Sequence, residues 1–423
     1  MKKIFKRLDE IIVSGFSIIN FADEIQSLRK QLKKEEDIIL FVNMVREKVQ
    51  LEAFNSIVNN NGRGLIAMAT GSGKSRVGVM LAKYYAPKDF STNLCLVVPT
   101  EKLRDENWKE EYIKWEAENL WKKTIRLCYA SASKVDSYHV NLLILDEGHN
   151  ITPLSAEIFA SNDIAHVVLL TATRPTSSEK NQILQDLNIP LVYELTLDDA
   201  VKLGFVAPYK ITVVYTELDT VEKYVVAGNK NSPFYQTERA SYDYLTRTID
   251  VFKENSFPSA SDRLRNKFTI LKRMHLIYGL KSKTDVARFI LANLIPQTDR
   301  SLIFCGGIPQ AESLCRNFYH SKSGSKAYDL FKSELVNRLS CVKAINEGHN
   351  FPGLDSGLIV QLNSKEKDLV QRIGRLLRFR PGHEGHLYII VAKGTQDEVW
   401  ANNALINFDS TKIEYVEFKN LKV

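Results

Sequence analysis

The stretch Ile66-Ala-Met-Ala-Thr-Gly-Ser-Gly-Lys-Ser75 decides the fold, because it joins an apolar run of strand length to the helix-like run 77–84. In a strand–loop–helix unit, glycines let backbone N–H groups close around phosphates, and the helix N-terminus favours an anion. Lys74 can reach the β- and γ-phosphates of a nucleotide, and the Ser75 hydroxyl can ligate Mg²⁺. Met68 stands where the general phosphate-loop pattern has its first glycine. The stretch predicts a nucleotide site.

Short apolar runs alternate with helix-like segments on both sides of this loop, which indicates βαβ units and parallel sheets covered by helices. The strand-length runs are 65–68, 94–98, 142–145, 167–170, 211–215, 302–305, 341–344, 358–362 and 387–391. Residues 204–208 are predicted to form a hinge between the two halves, and residues 229–233 to be a loose stretch. The predicted organisation is a segment of two helices at 1–48, an α/β domain at 49–205 and a second at 206–423, with a helical, basic insertion at about 217–296.

Composition excludes several classes of protein. The chain has 423 residues, 44% hydrophobic and 25% charged, as expected of a soluble globular protein of two or three domains. No apolar run approaches the roughly 20 residues of a membrane span, and no signal peptide is expected. The five cysteines lie far apart without a C-x-x-C pair, which argues against a disulfide framework or structural zinc and fits a reducing cytoplasm.

Charge gives a further hint. The net charge is +7, and residues 261–283 carry seven Lys or Arg against one acid, Asp262. Such a cluster can be a solvated basic face, but it also suits a polyanionic partner.

The aromatic positions Trp108, Tyr112 and Trp115 fall near helical spacing, and core packing is the favoured interpretation over base stacking.

Two acids end another apolar run, Leu142-Leu-Ile-Leu-Asp-Glu-Gly-His149. This places Asp146 and Glu147 at the carboxyl end of a buried parallel strand, the edge where α/β sheets bind ligands. Asp146 is expected to hold Mg²⁺ through water, and Glu147 to orient or deprotonate the attacking water. A third run ends in Thr171-Ala-Thr173, whose hydroxyls can sense the acids and His149 through hydrogen bonds.

The order of these elements resembles a superfamily 2 helicase over about four-fifths of the chain. The matching stretches are Met68–Ser75 (motif I), Val97-Val-Pro-Thr100 (motif Ia), Asp146-Glu-Gly-His149 (motif II, DExH box), Leu170-Thr-Ala-Thr173 (motif III), Ser301-Leu-Ile-Phe-Cys305 (motif IV), Asn346–Pro352 (motif V) and Gln371-Arg-Ile-Gly-Arg-Leu-Leu-Arg378 (motif VI). Two departures stand out: Val49 replaces the aromatic usual before Gln50, and Asn350 stands where motif V usually has an aspartate.

The resemblance implies two tandem RecA-like parallel-sheet domains that bind ATP and Mg²⁺. It assigns catalysis to Lys74, Asp146, Glu147, Arg375 and Arg378. It assigns ATP binding to Gln50, Thr70, Gly71, Ser72, Gly73, Lys74, Ser75 and Gln371, with Ser75 and Asp146 at the metal. It assigns coupling to His149, Thr171 and Thr173, and nucleic-acid contacts to Pro99, Thr100, Gly348 and Asn350.

Motif VI carries a geometric argument of its own. Gln371, Arg375 and Arg378 are spaced i, i+4, i+7 and therefore share one face of a helix. The planar fork of arginine suits γ-phosphate oxygens, and an arginine supplied by the other domain makes hydrolysis depend on domain closure.

Within the superfamily, motifs I and VI resemble the DNA-acting branch: translocases of type I and III restriction enzymes, XPB-like repair helicases and small phage helicases that remodel branched DNA. The expected partner is DNA, held mainly through its phosphates by motifs Ia and V and the basic insertion, with no membrane and with the N-terminal segment open to a protein partner. The expected location is the cytoplasm of a bacterium or a phage-infected cell. Alternatives are a DExH RNA helicase, a motor subunit that translocates without unwinding, and a non-catalytic scaffold.

Overall fold

The computed structural model describes residues 1–86, 93–134, 139–172, 174–175, 177–229, 231–254, 259–342, 354–362, 383–406 and 408–422. The described residues up to Pro208 form one compact unit, and most of those from Tyr209 onwards form a second. Each unit is built on one parallel sheet, so the predicted class of two parallel-sheet α/β domains is confirmed.

The first unit holds a six-stranded sheet in the order β3-β2-β4-β5-β1-β6, with every pair parallel. Its strands are β1 Arg63–Met68, β2 Asn93–Val98, β3 Thr124–Cys128, β4 His139–Asp146, β5 Asp163–Thr171 and β6 Leu191–Leu195. Its helices are α1 Lys2–Val13, α2 Ala22–Lys30, α3 Glu35–Asn59, α4 Lys74–Tyr84, α5 Trp108–Lys114, α6 Glu118–Lys123, α7 Pro153–Ala156, α8 Ile158–Ser161, α9 Ser178–Asp186 and α10 Leu197–Leu203.

The central strands of this sheet are apolar along most of their length because helices cover both faces. Leu65, Val97, Leu145 and Leu169 pack in one buried cluster on the same side of the sheet. The four runs predicted as strands lie within β1, β2, β4 and β5. Since all strands are parallel, the loops that follow them emerge at one edge, where the candidate site is found.

The second unit holds a seven-stranded parallel sheet in the order β11-β12-β10-β13-β14-β7-β15, and a separate antiparallel hairpin β8-β9. Its strands are β7 Tyr209–Thr216, β8 Val225–Asn229, β9 Ser232–Gln236, β10 Ser301–Phe304, β11 Phe318–Tyr319, β12 Arg338–Cys341, β13 Ser356–Ile359, β14 Gly385–Ala392 and β15 Ile413–Glu417. Its described helices are α11 Glu238–Glu254, α12 Ala260–Tyr278, α13 Lys281–Asn293, α14 Ile308–Leu314, α15 Lys326–Lys332 and α16 Gln396–Leu405.

The predicted boundary at residue 48 falls inside α3. The buried side chains of this helix, among them Phe41, Val45, Val49 and Ala53, continue on one face across that position. Three α-helices, not two, precede residue 49 or span it. The N-terminal segment is therefore packed into the first unit, since α3 contacts both α4 and β6.

The predicted insertion at about 217–296 contains three helices and also the hairpin, where the sequence had indicated only a loose stretch. Of the predicted strand 341–344, residues 343 and 344 lie outside the described ranges, and Cys341 is the last residue of β12, which begins at Arg338. A charged residue fits the start of this buried strand because the Arg338 guanidinium donates to the carbonyls of Leu291 and Ile295, at 2.9 and 2.6 Å.

None of the helices in the described ranges is long and apolar enough to cross a membrane. All five cysteines are free thiols, and burial raises the pKa of the Cys95 thiol to about 12.

Candidate functional site

A cavity of about 890 Å³ opens at the carboxyl edge of the first sheet. The loops after β1 and β4 contribute to it, together with α3, α5 and the turn after α10. Its lining residues are Ile39, Val42, Asn43, Arg46, Glu47, Gln50, Thr70, Gly71, Gly73, Lys74, Ser75, Arg76, Leu103, Glu111, Lys114, Trp115, Asp146, Glu147 and Phe205. The structure thus brings most of the predicted ATP-binding and catalytic residues of the first domain to one place.

The phosphate loop owes its shape to glycine. Gly73 immediately precedes α4 with a φ of 94°, in the left-handed region, and a Cβ there would lie 2.0 Å from Gln50 Nε2. Ser72 is fully buried, and its hydroxyl donates to the Ala69 carbonyl at 2.7 Å. The Lys74 ammonium donates to the Met68 carbonyl at 3.0 Å, so it spans the loop from one end to the other.

Gln50 braces this loop from α3. Its Nε2 donates to the Ser72 carbonyl at 2.9 Å, and its Oε1 accepts from Arg76 at 2.7 Å. The Arg76 guanidinium also lies over the Trp115 ring, 4.1 Å from its centroid. Gln50 stays a prediction as an adenine-reading residue, and in this arrangement both of its polar atoms are engaged with the loop and α4.

Asp146 lies at the end of β4 in a nearly closed environment. Trp108 Nε1 donates to Asp146 Oδ2 at 2.8 Å, and the Glu147 backbone N–H donates to Oδ1 at 2.9 Å. Burial raises the pKa of Asp146 above its ordinary value, while the bond from Trp108 and the charge of Lys74 act in the opposite direction. A nearby cation stabilises the ionised form of such a buried carboxylate and offsets the free-energy cost of its desolvation.

Glu147 is linked through His149 to Thr171 on the neighbouring strand β5. Its backbone is left-handed, with a φ of 49°, a conformation that costs energy for a residue other than glycine and that clusters at functional sites. His149 Nδ1 lies 3.4 Å from Glu147 Oε2 and 3.2 Å from Thr171 Oγ1. His149 and Thr171 are both buried, so motifs II and III share one polar contact at the edge of the sheet.

The residues present fit a magnesium nucleotide. The Thr70 hydroxyl oxygen is buried and has no hydrogen-bond partner within the described ranges, and the loop passes so close to Gln50 at Gly73 that it leaves no room for a side chain there. Ser75 and Asp146 supply oxygen ligands of the kind Mg²⁺ prefers, and Lys74 supplies a cation for phosphate oxygens.

Other predicted residues lie apart from this cavity or outside the described ranges. Pro99 and Thr100 follow β2 at the same sheet edge, where Thr100 Oγ1 accepts from the Leu103 N–H at 3.4 Å. The residues that lie outside the part of the chain that the structure describes are Thr173, Gly348, Asn350, Gln371, Arg375 and Arg378.

Sequence reasoning missed the second role of Trp108. This residue is buried, as core packing requires, but it also donates to the Asp146 carboxylate. Nothing in the spacing of Trp108 distinguishes the two roles.

Arg46 and Phe205 were also missed by sequence reasoning. They line the cavity with the guanidinium 5.2 Å from the ring centroid, and the only signal was that Phe205 follows the predicted hinge glycine Gly204.

The basic insertion is less exposed than its composition indicated. Lys283 is fully buried and pairs with Asp397 at 2.6 Å, Lys281 pairs with Glu222, and Arg273 stacks 5.7 Å from the Tyr242 ring centroid. The remaining basic side chains of the cluster are Arg263, Arg265, Lys267 and Lys272, all exposed on α12.

Comparison with known proteins adds two findings. Residues 43–176 match the family model of the type III restriction enzyme res subunit. No curated protein sequence matches the chain. The matched segment covers the phosphate loop and the DExH box, which are the parts of the site described above.

Solved structures share the fold. The Pyrococcus furiosus Hef helicase domain superposes with a TM-score of 0.51 at 14% identity, over 84% of this chain and 96% of that one. The type ISP restriction-modification enzyme LlaBIII bound to DNA gives 0.56 at 14% identity, over 87% of this chain but 31% of the enzyme. S. cerevisiae Dbp5 bound to RNA and ADP BeF3 gives 0.51 at 12% identity, over 88% and 90%.

At these identities the structural likeness concerns the fold, while the family match concerns the sequence of the first domain. The chain is therefore similar to superfamily 2 helicases in the sequence of its first parallel-sheet domain and in its tandem RecA-like fold, which confirms the resemblance that its motifs indicated and fits the DNA-acting branch.

Proposed function

We propose that this chain is an ATP- and Mg²⁺-dependent DNA helicase or translocase, which couples ATP hydrolysis to movement on DNA or to its remodelling. The observation that supports the proposal is the convergence of Lys74, Asp146 and Glu147 on one cavity at the carboxyl edge of a parallel sheet. Phosphoryl transfer to water needs a cation for the phosphates, a metal ligand and a group that orients the water. The three side chains supply these functions.

Each residue has a defined task in this proposal. Lys74 leaves the Met68 carbonyl, which it contacts at 3.0 Å, and pairs with the β- and γ-phosphates. Ser75, and Asp146 through water, would hold Mg²⁺, which would supply positive charge against the phosphates. Glu147 accepts the proton of the attacking water, and its contact with His149 passes the state of the site to Thr171 on the neighbouring strand.

DNA is the proposed substrate because the motif forms resemble the DNA-acting branch, and because the family model matched by residues 43–176 is that of a restriction-enzyme subunit. Pro99 and Thr100 are proposed to contact the phosphate backbone at the end of β2. RNA is the second candidate, since one of the structures with the same fold is bound to RNA. We place the protein in the cytoplasm, in line with its free thiols.

The decisive experiment measures ATP hydrolysis without nucleic acid and with single-stranded, duplex and branched DNA and RNA of matched length. Glu147→Gln serves as the blank. We expect Lys74→Ala to lower turnover by about a hundredfold or more, as is usual when one preorganised electrostatic group is removed. Lys83→Ala is the matched control, because Lys83 is an exposed lysine in the last turn of the same helix.

The outcomes separate the candidates. Stimulation by DNA, greatest with branched substrates, supports the proposed motor. Stimulation by RNA alone replaces DNA with RNA as the substrate. Full ATPase activity in Lys74→Ala contradicts the assignment of the site. Hydrolysis that no nucleic acid stimulates favours a motor subunit that requires a protein partner.

A further inference from the structure

Helix α12 is a well-defined helix with one face uncovered. Ser259 and Asp262 form a capping box at its N-terminus, and the helix ends before Gly279. It packs against α11, and Ile277 is its buried residue. Because its ends are fixed by local hydrogen bonds, the helix presents its outer face as a stable surface.

The outer face carries an apolar stripe, which consists of Leu264, Phe268 and Leu271. These side chains are 54%, 56% and 36% exposed. Their spacing of four and three residues places them in line on one side of the helix, and His275 continues the line four residues later. From Leu264 to Leu271 the stripe is about 10 Å long at 1.5 Å per residue. Large apolar side chains left exposed in a row mark an interaction surface.

Basic residues border this stripe on both sides. In a heptad where Leu264 and Leu271 occupy position d and Phe268 occupies position a, Arg265 and Lys272 fall at position e and Lys267 at position g. All three are exposed. This is the pattern of a helix that pairs with another helix, in which the e and g charges select the partner.

We propose that the apolar stripe of α12 docks an amphipathic helix of a partner protein, whose apolar seam is flanked by Glu or Asp. An acidic partner helix is chosen because its carboxylates would be complementary to the basic residues that border the stripe. A second copy of the chain would bring like charges together in either helix orientation. Unpaired DNA bases would need a row of aromatic side chains, and the stripe has one, Phe268, between two leucines.

The test uses a synthetic probe and the full chain. The probe is a fluorescent peptide of about three heptads, with Leu at d, Ile at a and Glu at e and g, which resists self-pairing through its own like charges. A second peptide has Lys at e and g, and a third has Ser at a and d. Fluorescence anisotropy at low and high salt measures binding. We expect the acidic peptide to bind and the other two to bind far more weakly.

Two variants and one control locate the contact. Leu264→Ser with Leu271→Ser is expected to weaken binding of the acidic peptide by more than about tenfold, as for loss of anchor residues at an interface. Arg265→Glu with Lys272→Glu is expected to reverse the preference toward the Lys peptide. Leu335→Ser is the control, because Leu335 is 72% exposed and lies outside α12. Circular dichroism verifies folding of each variant.

Several results would overturn the proposal. These are failure of the acidic peptide to bind, binding that the serine variant leaves intact, or no switch of preference in the glutamate variant. A concentration-dependent dimer abolished by the serine variant would assign the stripe to a second copy, and loss of single-stranded DNA binding in that variant would assign it to nucleic acid. None of these measurements involves ATP turnover, so the outcome is independent of the proposed motor activity.

Discussion

Trp108→Phe tests how the carboxylate of Asp146, the predicted metal ligand, is held. The substitution removes the Nε1–H that donates to Asp146 Oδ2 at 2.8 Å and leaves a smaller ring in a buried position. A buried carboxylate oxygen without its donor costs about 1–3 kcal/mol. The smaller ring adds a packing cost, because the Trp108 ring lies against α4 at Gly78, where a Cβ would be 2.6 Å away.

Trp121→Phe separates these two costs. Trp121 is also buried, and its ring packs against Tyr112 at a centroid distance of 5.3 Å, away from Asp146. Both variants replace a buried tryptophan with the same residue. The difference between their losses in free energy of unfolding should therefore be the hydrogen bond, about 1–3 kcal/mol at neutral pH, reduced by the contact of the Trp121 ring with the Arg126 guanidinium 4.5 Å away, which Trp121→Phe weakens.

The loss of stability in Trp108→Phe is expected to depend on pH. Burial raises the pKa of Asp146 above the value in the unfolded chain, so its ionisation reduces stability as pH rises through that range. The bond from Trp108 lowers the pKa, and its removal raises the pKa further and enlarges the penalty. We expect Trp108→Phe to lose more stability at neutral pH than at acid pH, where Asp146 is protonated in both proteins.

Urea unfolding at both pH values and the pH profile of kcat/KM for ATP are the assays. The acid limb of the profile should move to higher pH in Trp108→Phe, and more Mg²⁺ should be needed for half-maximal rate. Equal losses of stability in Trp108→Phe and Trp121→Phe at both pH values, with the acid limb of the parent protein in both, would show that the bond from Trp108 does not hold Asp146.

Two further substitutions test the loop and the second domain. Gly73→Ala places a Cβ 2.0 Å from Gln50 Nε2, so binding of a fluorescent ATP analogue should weaken by more than about tenfold, whereas Gly15→Ala, at a φ of 79° with open space around it, should leave binding unchanged. Lys283→Met leaves Asp397 buried without its cation and should reduce the free energy of unfolding by about 3–5 kcal/mol in urea titrations. A loss below about 1 kcal/mol, the range of an exposed pair, would show that the buried pair is not required.

The carboxyl edge of the first sheet was predictable, because the apolar runs and the polar residues that follow them both indicate where a buried strand ends. The run before Asp146 is continuous because β4 is buried on both faces, and an acid pair can follow only where the strand reaches the sheet edge. The limit of the N-terminal segment was not predictable from composition, since the change at residue 48 does not end the buried face of α3. That face continues to Ile57, and its spacing was the signal available.

The contacts around the predicted catalytic residues were less accessible to sequence reasoning. Trp108 and Asp146 are 38 positions apart, and only the order of β2 and β4 in the sheet brings their side chains together. The same holds for Arg46 and Phe205, which meet because α3 and the turn after α10 share a wall of the cavity. Motifs identify side chains at strand ends, whereas long-range packing decides what each of them touches.

Part of the N-terminal segment therefore forms a wall of the predicted nucleotide site and does not merely pack next to it. Ile39, Val42 and Arg46, all within residues 1–48, line the cavity, and Gln50 on the same helix holds the phosphate loop through the Ser72 carbonyl. Because α3 contacts both the loop and the cavity wall, a nucleotide that moved the loop would also change the packing of α3. A protein partner bound to the N-terminal helices would thus act on nucleotide binding through α3, and nucleotide binding would act on that partner with the same coupling free energy.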